Sequence, residues 1–334
     1  MTARVLVTGA GGFLGRATVS ALQEAGHAVR AVHRRPVEAS GAAEIRMQDL
    51  SAEDIDWPAL LADCSAVVHV AAALTGDDAV HARDTVAPTE GLVAAMAAEP
   101  GRRLVLVSSF SVYGLAAVPE GATVDETSPV EHDLNRRDAY ARAKVAQERV
   151  AIAAAQSHGL DLWIIRPAVL YGPGRTDCAH LGIAARGRLL CLGGDVPVPA
   201  LHVEDCARAL AAAVEATRPE GAGDAPVITG DGRVTVINLV APNPPTQTDW
   251  IAATGRSGVL RVPRKPVLKA AEFADLAADV SPWLDRKIPT RLRGPSLAAL
   301  YRPFRYSSSR AETILGFQAQ PFSQGMAASL DGTS

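Results

Sequence analysis

The sequence predicts an α/β protein built on a doubly wound parallel sheet, with a smaller, mostly helical lobe beside it. Three observations carry this prediction. Strand-like and helix-like segments alternate through the first two thirds of the chain. Several strand segments, Val5-Leu6-Val7 among them, are unbroken apolar runs rather than alternating ones, as expected of strands covered by helices on both faces. A glycine-rich turn, Thr8-Gly9-Ala10-Gly11-Gly12-Phe13-Leu14-Gly15, separates the first strand from the first helix.

In chain order, strands are expected at residues 4–7, 28–32, 44–47, 66–70, 103–107 and 162–166, and helices at 13–24, 57–61, 78–98 and 140–157. Pro167 and the run Tyr171-Gly172-Pro173-Gly174 then punctuate the chain. Turn-rich sequence at the carboxyl end of a strand belongs beside the ligand crevice of such a sheet. Residues 1–170 therefore read as a dinucleotide-binding domain, completed by 196–239. That return carries a strand near 198–203, a helix at 205–215 and a short strand at 226–229. Residues 171–195 and 240–334, richer in proline and short elements, read as a second, substrate-binding lobe.

The 334 residues are 48% apolar and 21% charged, enough for a sizeable core. A net charge of -3 with both signs well mixed argues against nucleic acid or an anionic membrane as the main partner. Cys64, Cys178, Cys191 and Cys206 match no metal-ligand spacing and are too few for a disulfide scaffold. No metal is expected. There is no basic, apolar and cleavage-site succession after Met1, and no uncharged apolar run reaches about 18 residues. A cytoplasmic protein is the expectation.

The glycine turn suits the pyrophosphate of a dinucleotide. Gly9 allows the tight turn, Gly12 lets the backbone come close, and Gly15 permits the first helix to pack on the sheet. Gly11, Phe13 and Leu14 complete a helix start whose free N–H groups and dipole favour phosphate. At the end of the second strand, an NAD site usually places an acid for the ribose hydroxyls. Here the chain reads Val32-His33-Arg34-Arg35. An arginine fork holds a 2′-phosphate, so NADP is preferred, with NAD possible, and Arg34 ranks ahead of Arg35. Asp49 is placed to accept from the adenine amino group and Leu50 to pack on its ring. Small residues after the fourth strand, Val70-Ala71-Ala72, let the backbone pass close to the cofactor's sugar and phosphates.

Tyr140 and Lys144 lie four apart on an expected helix and share a face. A phenol with a free pKa of roughly 10 is a poor base at neutral pH, and a neighbouring ammonium favours its phenolate. Lys144 is also placed to hold ribose hydroxyls. Ser109, at the end of the fifth strand, can hydrogen-bond a carbonyl or carbinol oxygen. The set suits proton transfer at oxygen while hydride moves at carbon.

Together these segments resemble the extended short-chain dehydrogenase/reductase family, the NAD-dependent epimerase/dehydratase group. The matching pieces are TGAGGFLG at 8–15, DL at 49–50, VSSFSVYG at 107–114, YARAK at 140–144, RPAVLYGPG at 166–174, HVEDCARAL at 202–210 and SSSRAETILGF at 307–317. The resemblance implies a Rossmann fold, with Tyr140 as acid/base, Lys144 as its helper and Ser109 as the oxygen-binding hydroxyl. Ser109 is chosen over its neighbours because it stands four residues before Tyr113 of the V-Y-G motif. Ser108 then falls to the cofactor side and Ser111 to a second contact near nicotinamide or substrate. Pro167 and Val169 would lie by the nicotinamide, and Tyr171 and His202 would shape the pocket wall, although His202 reads equally well as a structural histidine.

Two departures from the family pattern bear on the reaction. The asparagine of the N-x-x-G-T motif, which sits near the catalytic lysine, is missing from Arg83-Asp84-Thr85-Val86-Ala87-Pro88-Thr89. The diphosphate-holding asparagine of sugar-nucleotide members is missing from residues 175–180. Phe110 and Ser111 follow the serine where dehydratases carry acids. With the apolar Leu181, Ile183, Leu189, Leu190 and Leu192, these departures favour reduction of a small-molecule ketone or aldehyde, or oxidation of a secondary alcohol, as in the hydroxysteroid-dehydrogenase and dihydroflavonol-reductase branch. The alternative is a nucleotide-sugar 4-epimerase or related enzyme, and a minor one is a non-catalytic cofactor-binding regulatory protein. The alanine-rich helices at 78–98 and 140–157 would pair in a homodimer in the manner of the family.

Overall fold

The computed structural model describes residues 4–36, 42–99, 101–185, 187–218 and 234–331. Strand β1 (Arg4–Thr8) runs through the glycine turn into helix α1 (Phe13–Glu24), which returns the chain to β2 (Ala28–His33). There follow β3 (Glu44–Met47), α2 (Trp57–Leu61), β4 (Cys64–His69), α3 (Asp78–His81), α4 (Ala87–Ala98), β5 (Arg103–Val107), β6 (Thr123–Val124), α5 (Ala139–His158), β7 (Asp161–Pro167) and β8 (Val169–Tyr171). Next come β9 (Ile183–Ala185), β10 (Arg188–Leu192), β11 (Ala200–His202), α6 (Val203–Glu215), β12 (Val234–Leu239), α7 (Gln247–Ala253) and β13 (Val259–Val262). The chain ends with α8 (Arg264–Val280), α9 (Pro282–Lys287), α10 (Gly294–Tyr301), β14 (Arg305–Tyr306), α11 (Ser309–Leu315) and α12 (Phe322–Asp331).

Among the described residues, seven strands form one sheet in the order β12-β7-β5-β4-β1-β2-β3. Every neighbouring pair in it is parallel. The apolar runs explain this arrangement. Val5 and Val7 face a core shared with Leu22 of α1, Leu210 of α6 and Ala311 of α11. Leu6, between them, faces the opposite core, with Trp57 of α2, Leu92 and Met96 of α4 and Ala155 of α5. A strand buried on both faces has no polar side to alternate with. Cutting Leu6 to alanine would cost about 2–5 kcal/mol. The strand order reverses between β1 and β4, and this topological switch opens a crevice beyond their carboxyl ends.

The expected helix at 78–98 is one unbroken helical run, with a π turn at Ala82–Val86 between α3 and α4. Pro88, in the first turn of α4, lacks an N–H and crowds the preceding turn, which the wider π turn relieves. Helix α5 starts at Ala139 because the Asp138 carboxylate accepts from Ala141 N at 3.0 Å, capping it.

The segment after residue 196 departs from expectation. The strand near 198–203 is the short β11, and it pairs with β8 in a separate two-stranded sheet rather than joining the large one. The large sheet is instead completed by β12, buried along its whole length and paired with β7 from Leu162 to Pro167. The expected strand at 226–229 lies outside the described residues. The outer region combines a β13-β10-β9 sheet with α7 to α10, so it is helical with a small sheet of its own. Ala311 and Phe317 then return the chain to the α1/α6 core. Among the described residues no helix is long and apolar enough to cross a membrane.

Candidate active site

A cleft of about 1090 Å³ occupies the crevice at the switch point. One half is walled by the expected nucleotide residues: Gly9, Gly11, Gly12, Phe13, Leu14 and Gly15 of the turn, Arg34 and Arg35 after β2, Asp49 and Leu50 after β3, and Val70, Ala71 and Ala72 after β4. Ser108, Ser109, Ser111, Tyr140, Lys144, Pro167 and Val169 wall the other half.

The turn is shaped by close approach. Gly9 has φ +66°, and a Cβ there would lie 2.8 Å from Ala71 Cα. A Cβ on Gly15 would lie 2.1 Å from the Gly9 carbonyl oxygen. Gly12 caps α1 with no side-chain bond, so the first amides of the helix are left for a ligand. The Arg175 guanidinium stands 5.5 Å over the Phe13 ring, at the join between the two halves.

Arg34 is 54% exposed, and its guanidinium lies 3.4 Å from the Asp84 carboxylate. Hydrogen bonding to Arg83 holds the Asp84 carboxyl below the usual carboxylate range. Asp49 accepts from Ser51 N at 2.9 Å and Ser51 Oγ at 2.7 Å, which keeps its carboxyl low as well and leaves it ionised. These residues fit a dinucleotide with an adenine-side acceptor and a cation at the ribose.

In the reacting half, the Ser109 hydroxyl accepts from Ser111 N at 3.1 Å. Burial pushes the half-buried Tyr140 phenol above the ordinary tyrosine range, while its contact with the Ser109 hydroxyl and the nearby Arg175 charge pull the other way. Tyr140 is thus protonated at neutral pH. The Lys144 ammonium donates to the Val107 carbonyl at 2.8 Å and to Gln147 Oε1 at 2.9 Å, and stands 6.0 Å from the centre of the Tyr140 ring. Burial lowers its pKa to about 8, against the opposing pull of Glu148. The hydroxyl of Ser111 is buried and without a hydrogen-bond partner among the described residues.

Three placements correct the sequence reading. The Ser108 hydroxyl donates to Glu148 inside the Arg166–Glu148 ion pair, so it is the backbone of Ser108 that faces the cleft. Tyr171 and His202 are not among the residues lining the cleft. They are register partners across β8 and β11 and point the same way, into a cluster with Trp250 and Phe322. Leu181, Leu189 and Leu192 are buried in the cores of the outer region. The apolar wall of the reacting half is made instead by Phe110, Leu115, Leu170, Leu300 and Tyr306. Among the described residues no group of three or more His, Cys, Asp or Glu is placed to hold a metal.

The model of the NAD dependent epimerase/dehydratase family matches residues 5–228. The chain belongs to this family. It is 32% identical over 183 residues to cinnamoyl-CoA reductase 1 of Petunia hybrida, a match covering 51% of this chain and 55% of that protein. The chain thus spans about half the length of that curated relative. It is 34% identical over 241 residues to 2-alkyl-3-oxoalkanoate reductase of Stenotrophomonas maltophilia (strain K279a), covering 66% of this chain and 67% of that protein. The solved structure of MoeE5 in complex with UDP-glucuronic acid and NAD superposes with a TM-score of 0.70 at 23% identity, covering 98% of each chain. At that identity the likeness is one of fold.

Several residues at this epimerase/dehydratase-family site escaped the sequence reading. His81 meets the Tyr140 ring edge-on, with centroids 6.1 Å apart. Arg137 donates to the carbonyls of Ser111 (2.8 Å) and Tyr113 (2.9 Å) and pairs with Glu131 at 3.1 Å, pinning the segment that presents Ser109. Only Gln147 left a signal in the sequence: it stands three residues beyond Lys144, on the same face of α5.

Proposed function

We propose that this protein is an NAD(P)-dependent oxidoreductase that reduces a ketone or aldehyde, or oxidises a secondary alcohol, with Tyr140 as acid/base. The carrying observation is the Tyr140 phenol, in contact with Ser109 and backed by Lys144, where the nucleotide half of the cleft meets an apolar wall. When bound, the nicotinamide supplies or takes the hydride. Ser109 and Tyr140 hold the carbonyl oxygen by their hydroxyls and so polarise the carbon. Tyr140 gives that oxygen its proton, and the Lys144 charge stabilises the phenolate that remains. The apolar wall of Phe110, Leu115, Leu300 and Tyr306 excludes water and favours a non-nucleotide substrate.

Arg34 and Arg35 support NADP as the preferred cofactor, with NAD possible. The nearby Asp84 carboxylate opposes a 2′-phosphate and keeps that preference modest. The substrate is received by the outer region, 171–195 with 240–334. The likeness in fold to a protein solved with UDP-glucuronic acid and NAD supports a second reading, a nucleotide-sugar epimerase. The same proposal places the protein in the cytoplasm, with its cysteines as free thiols, and as a homodimer formed through α4 and α5.

The test is a spectrophotometric screen of NADPH and NADH against ketones, aldehydes and nucleotide sugars. Net oxidation of NADPH by a non-nucleotide carbonyl is the expected result. Interconversion of a nucleotide sugar without net cofactor turnover would move the assignment to the epimerase.

A further inference from the structure

Lys144 is held by more than its place on α5. Its partner Gln147 is fully buried, and Gln147 Nε2 donates to Thr89 Oγ1 at 2.9 Å. Thr89 gives its own proton to the Thr85 carbonyl at 2.8 Å and meets His69 Nε2 at 2.9 Å. His69 Nδ1 lies 2.7 Å from Thr8 Oγ1, and Thr8 receives the Ala71 N–H at 3.3 Å. The line runs, without exposed members, from the lysine to the threonine that opens the glycine turn.

The protons of this line have one arrangement. Thr89 has a single hydrogen, and the Thr85 carbonyl takes it, so His69 Nε2 must carry the hydrogen that reaches Thr89. Burial, with the Lys144 charge adding to it, lowers the His69 pKa to about 3, so the ring is neutral. Its Nδ1 is therefore bare and accepts from Thr8. Gln147 cannot flip. Reversed, its amide N–H groups would face the ammonium and its oxygen would face the lone pairs of Thr89.

The missing asparagine gives this line its meaning. Reading N-x-x-G-T onto Thr85-Val86-Ala87-Pro88-Thr89 puts Thr85 at the asparagine position. Thr85 accepts the Ala73 N–H at 2.9 Å with its hydroxyl. We propose that Gln147 is the positioning residue for Lys144 in this chain, supplying from α5 itself a side-chain oxygen to the ammonium, while Thr85, at the asparagine position, is engaged with the Ala73 N–H. Thr89 and His69 fix its orientation and tie the ammonium to the base of the glycine turn. This rests on the reading of Lys144 as the partner of Tyr140, so its test is read without turnover.

The charged and titratable groups around Lys144 are few. Glu148, on the same helix, is paired to Arg166 of β7 at 2.7 Å. His69 of β4 is neutral, and Tyr140 lies one turn away on α5. The chain has four lysines, Lys144, Lys265, Lys269 and Lys287, and the last three are exposed. A pH titration of the whole cofactor-free protein carrying 13C-labelled lysine, followed by NMR, therefore resolves Lys144 by its depressed midpoint, with a Lys144→Arg protein confirming the assignment. Replacing Gln147 with leucine removes a buried acceptor from the cation, and the Lys144 midpoint should fall by about one pH unit. Gln147→Glu restores an acceptor with added charge, and the midpoint should rise. A Gln147→Leu protein that titrates with the wild type, or two variants that shift in the same direction, would overturn the proposal. If the leucine variant does not fold, the glutamate variant decides: an upward shift supports the proposal and an unchanged midpoint refutes it. Loss of the reductase reading would leave these midpoints untouched.

Discussion

Gly9 and Ala71 meet backbone to backbone: a Cβ on Gly9 would lie 2.8 Å from Ala71 Cα, and Gly9 has a φ of +66°. The turn after β1 and the end of β4 are thereby closed against each other under the nucleotide half of the cleft. Gly9→Ala is strained by its conformation and by this contact, at a cost of about 1–3 kcal/mol. The variant should melt several degrees lower and bind NADPH at least about tenfold more weakly, checked by calorimetry and by fluorescence titration.

The proposed NADP preference rests on Arg34, with Asp84 beside it at 3.4 Å. Arg34→Ala should weaken NADPH by about tenfold or more and NADH little. Asp84→Asn removes the competing charge and should tighten NADPH. Both are read by fluorescence titration with each cofactor, and equal effects on the two cofactors would move the phosphate contact elsewhere.

Ser111 has a buried hydroxyl that bonds to nothing among the described residues. Ser111→Ala should leave the melting temperature unchanged or slightly raised, since an unsatisfied polar group is removed. It should lower kcat/KM for the carbonyl substrate about tenfold. A stability loss without a kinetic effect would assign the hydroxyl to the fold.

The alkaline limb of the rate profile should report Lys144. Its pKa is lowered to about 8 from an ordinary value near 10.5. In the proposed mechanism the charged form is the working one, so the rate of carbonyl reduction should be flat below pH 8 and fall above it. The sign for stability is opposite. Between pH 8 and 10.5 the unfolded chain binds the proton and the folded chain does not, so this group's contribution to stability rises with pH. A pH series of initial rates and of urea midpoints separates the two.

The parts legible in the sequence were those written locally. The glycine turn, Ser109 and the Tyr140–Lys144 pair are set by short spacings on single elements, and all of them wall one cleft. Strand β12 was not legible, because its place beside β7 is set by burial on both faces and long-range pairing rather than by a local signal. The motifs of Tyr171 and His202 suggest a place at the site, but the β8–β11 register sets the two rings edge to face and turns Tyr171 toward Trp250 and Phe322. Asp84 and Arg137 reach the cleft from separate parts of the chain, and His81 meets the Tyr140 ring from behind it, and that information lies in tertiary packing rather than in spacing.

The most direct measurement is single-turnover oxidation of bound NADPH by a carbonyl substrate in wild-type and Tyr140→Phe proteins. Lys144 and Ser109 stay in place, and cofactor binding checks the fold. The account predicts that Tyr140→Phe binds NADPH normally and loses about 10²–10⁴-fold in rate. A Tyr140→Phe protein that transfers hydride at near wild-type rate would contradict it.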